Sequence, residues 1–227
     1  MANYNNLISF IKNKEGGLSS ATTDTASRNP SNCGNGSNGK PYHTNKGVQW
    51  ITFKSFASKL GYTPSCENFL KMPDEIWGKI YKEQFWNPIT KDKIKNQAIA
   101  NTFVEWAWMS GVGGATNSLK NFFQSNYNKS FTNINQIIDY VNELDSKGQT
   151  SELFEKLYDF RQNRFKQLNQ PANLKGWLNR LDAFYLLNKP YALPKFTDVV
   201  SKNKNTIYII LGLLAIGGAY YYVRARK

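Results

Sequence analysis

The chain has 227 residues, of which 41% are hydrophobic and 15% aromatic, enough to bury one good core and unlike a collagen-like or wholly disordered polymer. Twenty-nine Lys and Arg against 16 Asp and Glu give a formal charge of +13, which favours polyanionic surroundings such as nucleic acid, anionic lipid or envelope polymers. The basic residues are spread along the chain, with no helix-turn-helix pattern, RNP-like motif or concentrated Arg stripe, so nucleic acid is not expected as a partner.

At the N-terminus, Leu7, Ile8, Phe10 and Ile11 share one face of a short helix predicted to end near Lys14, where Gly16 and Gly17 stop it. This places Glu15 at a helix-to-loop junction. Residues 1–13 are too polar and interrupted for a signal-peptide core, so conventional secretion is not indicated. Residues 18–46 are rich in Ser, Thr, Asn and Gly and read as a loop or hairpin, followed by weak strand character over 48–52. This polar region is where a cleft would be built.

Two cysteines, Cys33 and Cys66, leave one disulfide or two free thiols open. They lack CxxC spacing and have no histidine cluster beside them, so neither a metal nor a cofactor is expected. His43, the single histidine, reads as a surface or cleft-lining residue.

Helical periodicity dominates thereafter. Phe53, Phe56, Ala57 and Leu60 form one stripe, and Ile76, Trp77, Ile80, Tyr81 and Phe85 form another behind Pro73. Residues 97–109 are apolar on nearly every face and mark a buried central helix; Glu105 within it calls for an Arg or backbone partner. Gly111, Gly113 and Gly114 are expected to break the chain. Asn133 reads as the N-cap of a helix over 134–144, and 151–168 and 173–187 supply two more. Trp50, Trp86, Trp106 and Trp108 are expected mainly in the core, with one or two able to stack on sugar rings.

A linker over 188–205 then leads to residues 206–223, eighteen residues without a charge. As a helix they span about 27 Å, close to one hydrocarbon core, with lysines before and Arg224, Arg226 and Lys227 in a basic tail after them. The fold expectation is therefore mainly α: a lysozyme-like α+β domain over 1–187 with a polar N-terminal loop or hairpin region, followed by a single transmembrane helix.

Glycosidic hydrolysis needs a carboxylic acid that delivers a proton and a second group that handles water or the developing cation. Glu15, flanked by glycines, suits the first role, and burial against Leu7, Ile11 and core aromatics would disfavour its anion. Glu15-Gly16-Gly17 alone is a weak signal. Together with Thr44-Asn45-Lys46-Gly47-Val48, Tyr81-Lys82-Glu83-Gln84-Phe85-Trp86-Asn87-Pro88, Trp106-Ala107-Trp108-Met109-Ser110-Gly111 and Lys175-Gly176-Trp177-Leu178-Asn179-Arg180, it resembles glycoside hydrolase family 108 over most of 5–187.

The resemblance implies a muramidase that cleaves the β-1,4 bond between N-acetylmuramic acid and N-acetylglucosamine in bacterial peptidoglycan, with Glu15 as general acid. It implies that Asp24, nine residues on, and Thr44 orient a water, in the Glu, Asp, Thr order of phage-type lysozymes. The expansion over 27–42, in place of a compact Asp-Pro-Gly-Gly turn, is a departure from that pattern. Two other readings stand beside it. A lytic transglycosylase would use one glutamate and the muramic 6-hydroxyl; a wall-binding or virion structural protein would keep the fold without activity. An apolar terminal segment and an Asn- and Lys-rich composition fit a phage lytic enzyme anchored in the host inner membrane or in the membrane of a lipid-containing virion. No oligomeric state is legible.

Overall fold

The first helix, α1 (Asn5–Lys14), buries Leu7, Phe10 and Ile11 and ends where Glu15 turns extended, its N–H still bonded to the Ile11 carbonyl at 3.0 Å. In this computed structural model the described residues are 1–193 except Pro30, Ser31 and Ser37. The chain divides into a unit Met1–Ala192 and a unit Leu193–Lys227. The expected membrane span at 206–223 and its basic tail lie outside the described residues; among those described, no helix is long and apolar enough to cross a membrane.

The polar region after α1 is a three-stranded antiparallel sheet in the order β1 (Leu18–Ser19), β2 (Thr44–Asn45), β3 (Val48–Gln49), as the hairpin reading anticipated. Leu18 pairs with Asn45, Ser19 with Thr44, and Thr44 in turn with Gln49. Lys46 (φ 48°) and Gly47 (φ 77°) form the two-residue turn between β2 and β3, the left-handed pair that matches the twist of flanking strands. The long excursion between β1 and β2 contains a 3-10 turn over Thr25–Arg28 and a bridge between Cys33 and Tyr42. Cys33 and Cys66 form a disulfide, with Cα atoms 5.3 Å apart, that ties this excursion to α3 (Cys66–Leu70).

Strand character stops at Gln49, three residues before the expected limit. Trp50, Phe53 and Ala57 recur at helical spacing and all face the core, so α2 (Trp50–Ala57) begins at once. Then come α4 (Asp74–Tyr81), a π-helical turn over Lys82–Trp86 and α5 (Asn87–Thr90).

The central helix is α6 (Gln97–Tyr127), capped by the Asn96 side chain and buried at every position from Ala98 to Ala107. Of the three glycines expected to break it, only Gly111 does, at φ 73° and ψ 157°, a conformation essentially confined to glycine. Gly113 and Gly114 are helical. Next are α7 (Ile134–Ser146), with Asn133 as its cap, and α8 (Thr150–Gln167).

The last helix, α9 (Pro171–Ala192), packs on α8 and α6 and runs on past residue 187, where the last helix was expected to end. The extra turn is held because Asn188 is fully buried, accepting from Asn101 Nδ2 at 2.6 Å and donating to the Phe184 carbonyl at 2.9 Å. Ala192 is buried too, so the helix runs past Pro190 and forgoes one backbone hydrogen bond. The described residues are mainly helical with one small antiparallel sheet, consistent with the expected lysozyme-like fold.

Candidate active site

Glu15 sits where α1, the sheet, α6 and α9 converge, as a consequence of the chain's turns. Gly16 and Gly17 lead from it into β1, and the Gly17 carbonyl accepts from the Lys46 N–H at 3.1 Å, bringing the β2–β3 turn alongside. The carboxylate is largely buried. Its Oε1 accepts from Trp108 Nε1 at 2.7 Å and from Arg180 Nη1 at 2.9 Å. Its Oε2 lies against Gly47: a Cβ there would stand 2.6 Å from Oε2 and 2.6 Å from Cζ2 of Trp108. Gly47 is thus required twice, for its left-handed backbone and for the carboxylate's space. With two N–H donors aimed at Oε1, a proton carried by this acid belongs on Oε2.

The apolar setting expected for Glu15 is only part of what the fold provides. Leu7 and Ile11 are in the core, but the carboxylate itself faces an indole N–H and a guanidinium. Beneath it lies Glu105, 1% exposed, which accepts from Arg180 Nε at 2.9 Å and from Arg161 Nη2. Burial by itself would raise the Glu105 carboxyl, but the charges and hydrogen bonds of Arg161 and Arg180 outweigh it, so it titrates below the ordinary range. Arg161, Glu105, Arg180 and Glu15 alternate in sign along one chain of contacts. Arg180 is held protonated: burial opposes its charge, but Glu105 and Glu15 favour it more strongly.

The expectation that Glu105 is a satisfied structural carboxylate facing arginine therefore holds, and the same arginine reaches the candidate acid. Trp108 is packed by Phe85 (ring centroids 4.7 Å), Trp77 (5.6 Å) and Tyr81 (5.8 Å), so its N–H is presented from a fixed ring. Trp77 Nε1 in turn donates to the Lys46 carbonyl at 2.8 Å, fixing the turn that carries Gly47. Outside this cluster, Asp74 receives Lys46 and Lys12 at 2.8 and 2.9 Å, and those hydrogen bonds draw its exposed carboxyl down to about 2.

Asp24 is exposed, and its Oδ1 accepts from the Ala26 N–H at 2.9 Å as the cap of the 3-10 turn. Thr44, in β2, is half-buried, with Oγ1 2.9 Å from Nδ1 of His43. His43 is 1% exposed, against the expectation of a surface or cleft-lining residue. Among the described residues no hydrogen bond or ion pair joins Asp24 or Thr44 to Glu15, and no group of three or more His, Cys, Asp or Glu could hold a metal ion.

Residues 8–111 match the family model glycosyl hydrolase 108. Among solved structures, that of Brucella abortus SagA aligns with a TM-score of 0.58 at 16% identity, covering 83% of this chain and 95% of that one, a likeness of fold. No curated protein matches the sequence. The match supports glycoside hydrolysis as the class of activity, and it holds Glu15, Asp24, Thr44, Gly47, Glu105 and Trp108. Arg161 and Arg180 lie beyond it.

Arg180, Trp108 and Gly47 were not picked out as site residues from sequence. A buried Glu105 announces that arginine must come to it, but not which arginine, nor that the same guanidinium has N–H groups left for a second carboxylate.

Proposed function

We propose that this chain is a muramidase that cleaves the β-1,4 bond between N-acetylmuramic acid and N-acetylglucosamine in peptidoglycan, with Glu15 as general acid. The observation that carries this reading is the disposition of one carboxylate: Oε1 engaged by Trp108 and Arg180, Oε2 set against Gly47. Oε2 delivers its proton to the glycosidic oxygen as the C1–O bond breaks, and the anion left behind is met by Arg180 and Trp108. A water held by Asp24 and Thr44 adds to C1 from the opposite face and gives its proton to Asp24, so the anomeric configuration inverts.

A transglycosylase reading draws on one feature, the engagement of the Asp24 carboxylate in its own turn. In that case the muramic 6-hydroxyl attacks C1 and the product carries a 1,6-anhydro end. Residues 206–223 anchor the enzyme in a bilayer, as a phage lytic enzyme in the host inner membrane or in the membrane of a lipid-containing virion; the uncharged run of eighteen residues motivates this.

The deciding experiment digests purified peptidoglycan with the full chain and with Glu15→Gln, then applies mass spectrometry to the muropeptides and proton NMR to the first-formed product. Reducing ends of inverted configuration, absent with the variant, are expected. Anhydro ends would assign the transglycosylase, and substantial activity in a folded Glu15→Gln protein would remove Glu15 from the reaction.

A further inference from the structure

The one histidine is among the most deeply buried polar side chains near the sheet, and a general acid at Glu15 gives it no part. Its backbone is paired on both sides, N–H to the Ser19 carbonyl at 3.0 Å and carbonyl to the Trp50 N–H at 2.8 Å, so the main chain that carries the ring is held in place. Nε2 is 3.0 Å from the Ala21 carbonyl oxygen and Nδ1 is 2.9 Å from Thr44 Oγ1.

These two partners set the tautomer. A carbonyl oxygen can only accept, so Nε2 carries the hydrogen. In the neutral ring Nδ1 then has a lone pair and no hydrogen, and the Thr44 hydroxyl must donate to it. The hydroxyl hydrogen is thereby spent inward, leaving Thr44 with lone pairs alone to offer.

We propose that His43 is a positioning residue that makes Thr44 an obligate hydrogen-bond acceptor for the attacking water. This rests on the muramidase reading and on Thr44 holding that water. A nucleophilic water has two hydrogens and two lone pairs. When both hydrogens are taken by acceptors, here Thr44 Oγ1 and the Asp24 carboxylate, which receives the proton, the water is oriented with its lone pairs free to face C1. A threonine that donated to the water instead would take up one of those lone pairs and turn the water away from the orientation that serves attack.

The tautomer is tested directly on the full-length protein in detergent. Because there is a single histidine, nitrogen NMR shows one imidazole pair; a protonated Nε2 and an unprotonated, hydrogen-bonded Nδ1 are expected, with the Nδ1 signal moving in Thr44→Val. A ring protonated at Nδ1 would overturn the proposal.

The kinetic test uses amides that imitate one ring nitrogen each. The Asn carbonyl falls near the Nδ1 position and can accept from Thr44; the Gln amide reaches the Nε2 position, can donate to Ala21, and offers Thr44 nothing. His43→Gln should keep most of the melting temperature yet lose about tenfold or more in kcat with KM little changed. His43→Asn should lose more stability and less kcat per folded molecule. A merely structural histidine predicts the reverse order, and that result sinks the proposal. Thr44→Val should cost as much as His43→Gln, and the double variant no more than either. If Thr44→Val is fully active while Glu15→Gln is dead, this inference fails and the muramidase reading stands; if Glu15→Gln is active, the reading itself fails.

Discussion

Nη1 of Arg180 donates to Oε1 of Glu15 at 2.9 Å although 165 residues separate the two along the chain. The same guanidinium uses Nε for Glu105, so one side chain spans the candidate acid and the carboxylate buried beneath it. Lysine has the charge but not the fork. Arg180→Lys should therefore fold while losing roughly 10- to 100-fold in kcat, because the Glu15 carboxylate loses its orientation. Arg180→Met removes the charge as well and should cost about 3 kcal/mol of stability, since Glu105 keeps only Arg161. Urea denaturation and turnover of peptidoglycan separate the two effects; equal activity in Arg180→Lys would show that the bridge to Glu15 is not used.

Gly47→Ala tests the space around Oε2. The added methyl carbon meets Glu15 Oε2 and Trp108 Cζ2 at 2.6 Å, and the backbone is left-handed at φ 77°. Strain alone should cost about 1–3 kcal/mol. A displacement of the carboxylate by about 1 Å should cost on the order of 100-fold in kcat. Activity and melting temperature measured on the same preparation check this, and an active variant would mean that the turn can move away from Glu15.

For Trp108 the informative change is to Phe, which keeps a ring against Phe85, Trp77 and Tyr81 but has no N–H to give Glu15. A drop in kcat of about tenfold, corresponding to roughly 1.4 kcal/mol, with a small change in melting temperature is expected. Loss of stability without loss of kcat would assign the indole to packing alone.

Acid should destabilise the fold through Glu105. Its folded-state carboxyl lies below the ordinary value of 4.5, so its contribution is fully present above that value and is lost as pH falls below it toward the folded pKa. Asp74, drawn to about 2, acts in the same direction but is exposed and contributes little. Denaturant midpoints between about pH 3 and 7 should fall toward the acid side. Glu105→Gln should flatten that fall while lowering stability at neutral pH by about 3–5 kcal/mol, because Arg161 is left buried without an anion. An unchanged acid slope in the variant would contradict the assignment.

The disulfide should matter for the excursion that carries Asp24. Cys33 and Cys66 are 33 residues apart, and closing a loop of that length stabilises by about 3–4 kcal/mol in the chain-entropy model. The double serine variant should melt on the order of 10 °C lower. Thiol reductant should do the same to the native protein and leave the variant unaffected, which calorimetry with and without reductant will check.

Much of this architecture was legible in local pattern. The end of α1 at Lys14, the buried run over Ala98 to Ala107, the Asn133 cap and the hairpin character of the polar region follow from periodicity, capping chemistry and turn residues, which act over a few positions. Glu15 was legible as a candidate because Glu15-Gly16-Gly17 stands in order with the other motifs that resemble the family, and Glu105 because a lone carboxylate in an apolar helix demands a partner. Tertiary structure decided the rest. Local pattern cannot tell which of the later arginines meets Glu105, because α8 and α9 reach it only after packing on α6. Nor can it say that Gly47 touches Glu15, that Asn188 carries α9 one turn beyond 187, or that His43 is buried with both nitrogens engaged. Most of these are meetings of residues distant in sequence, chosen by how the helices and the small sheet close on one another.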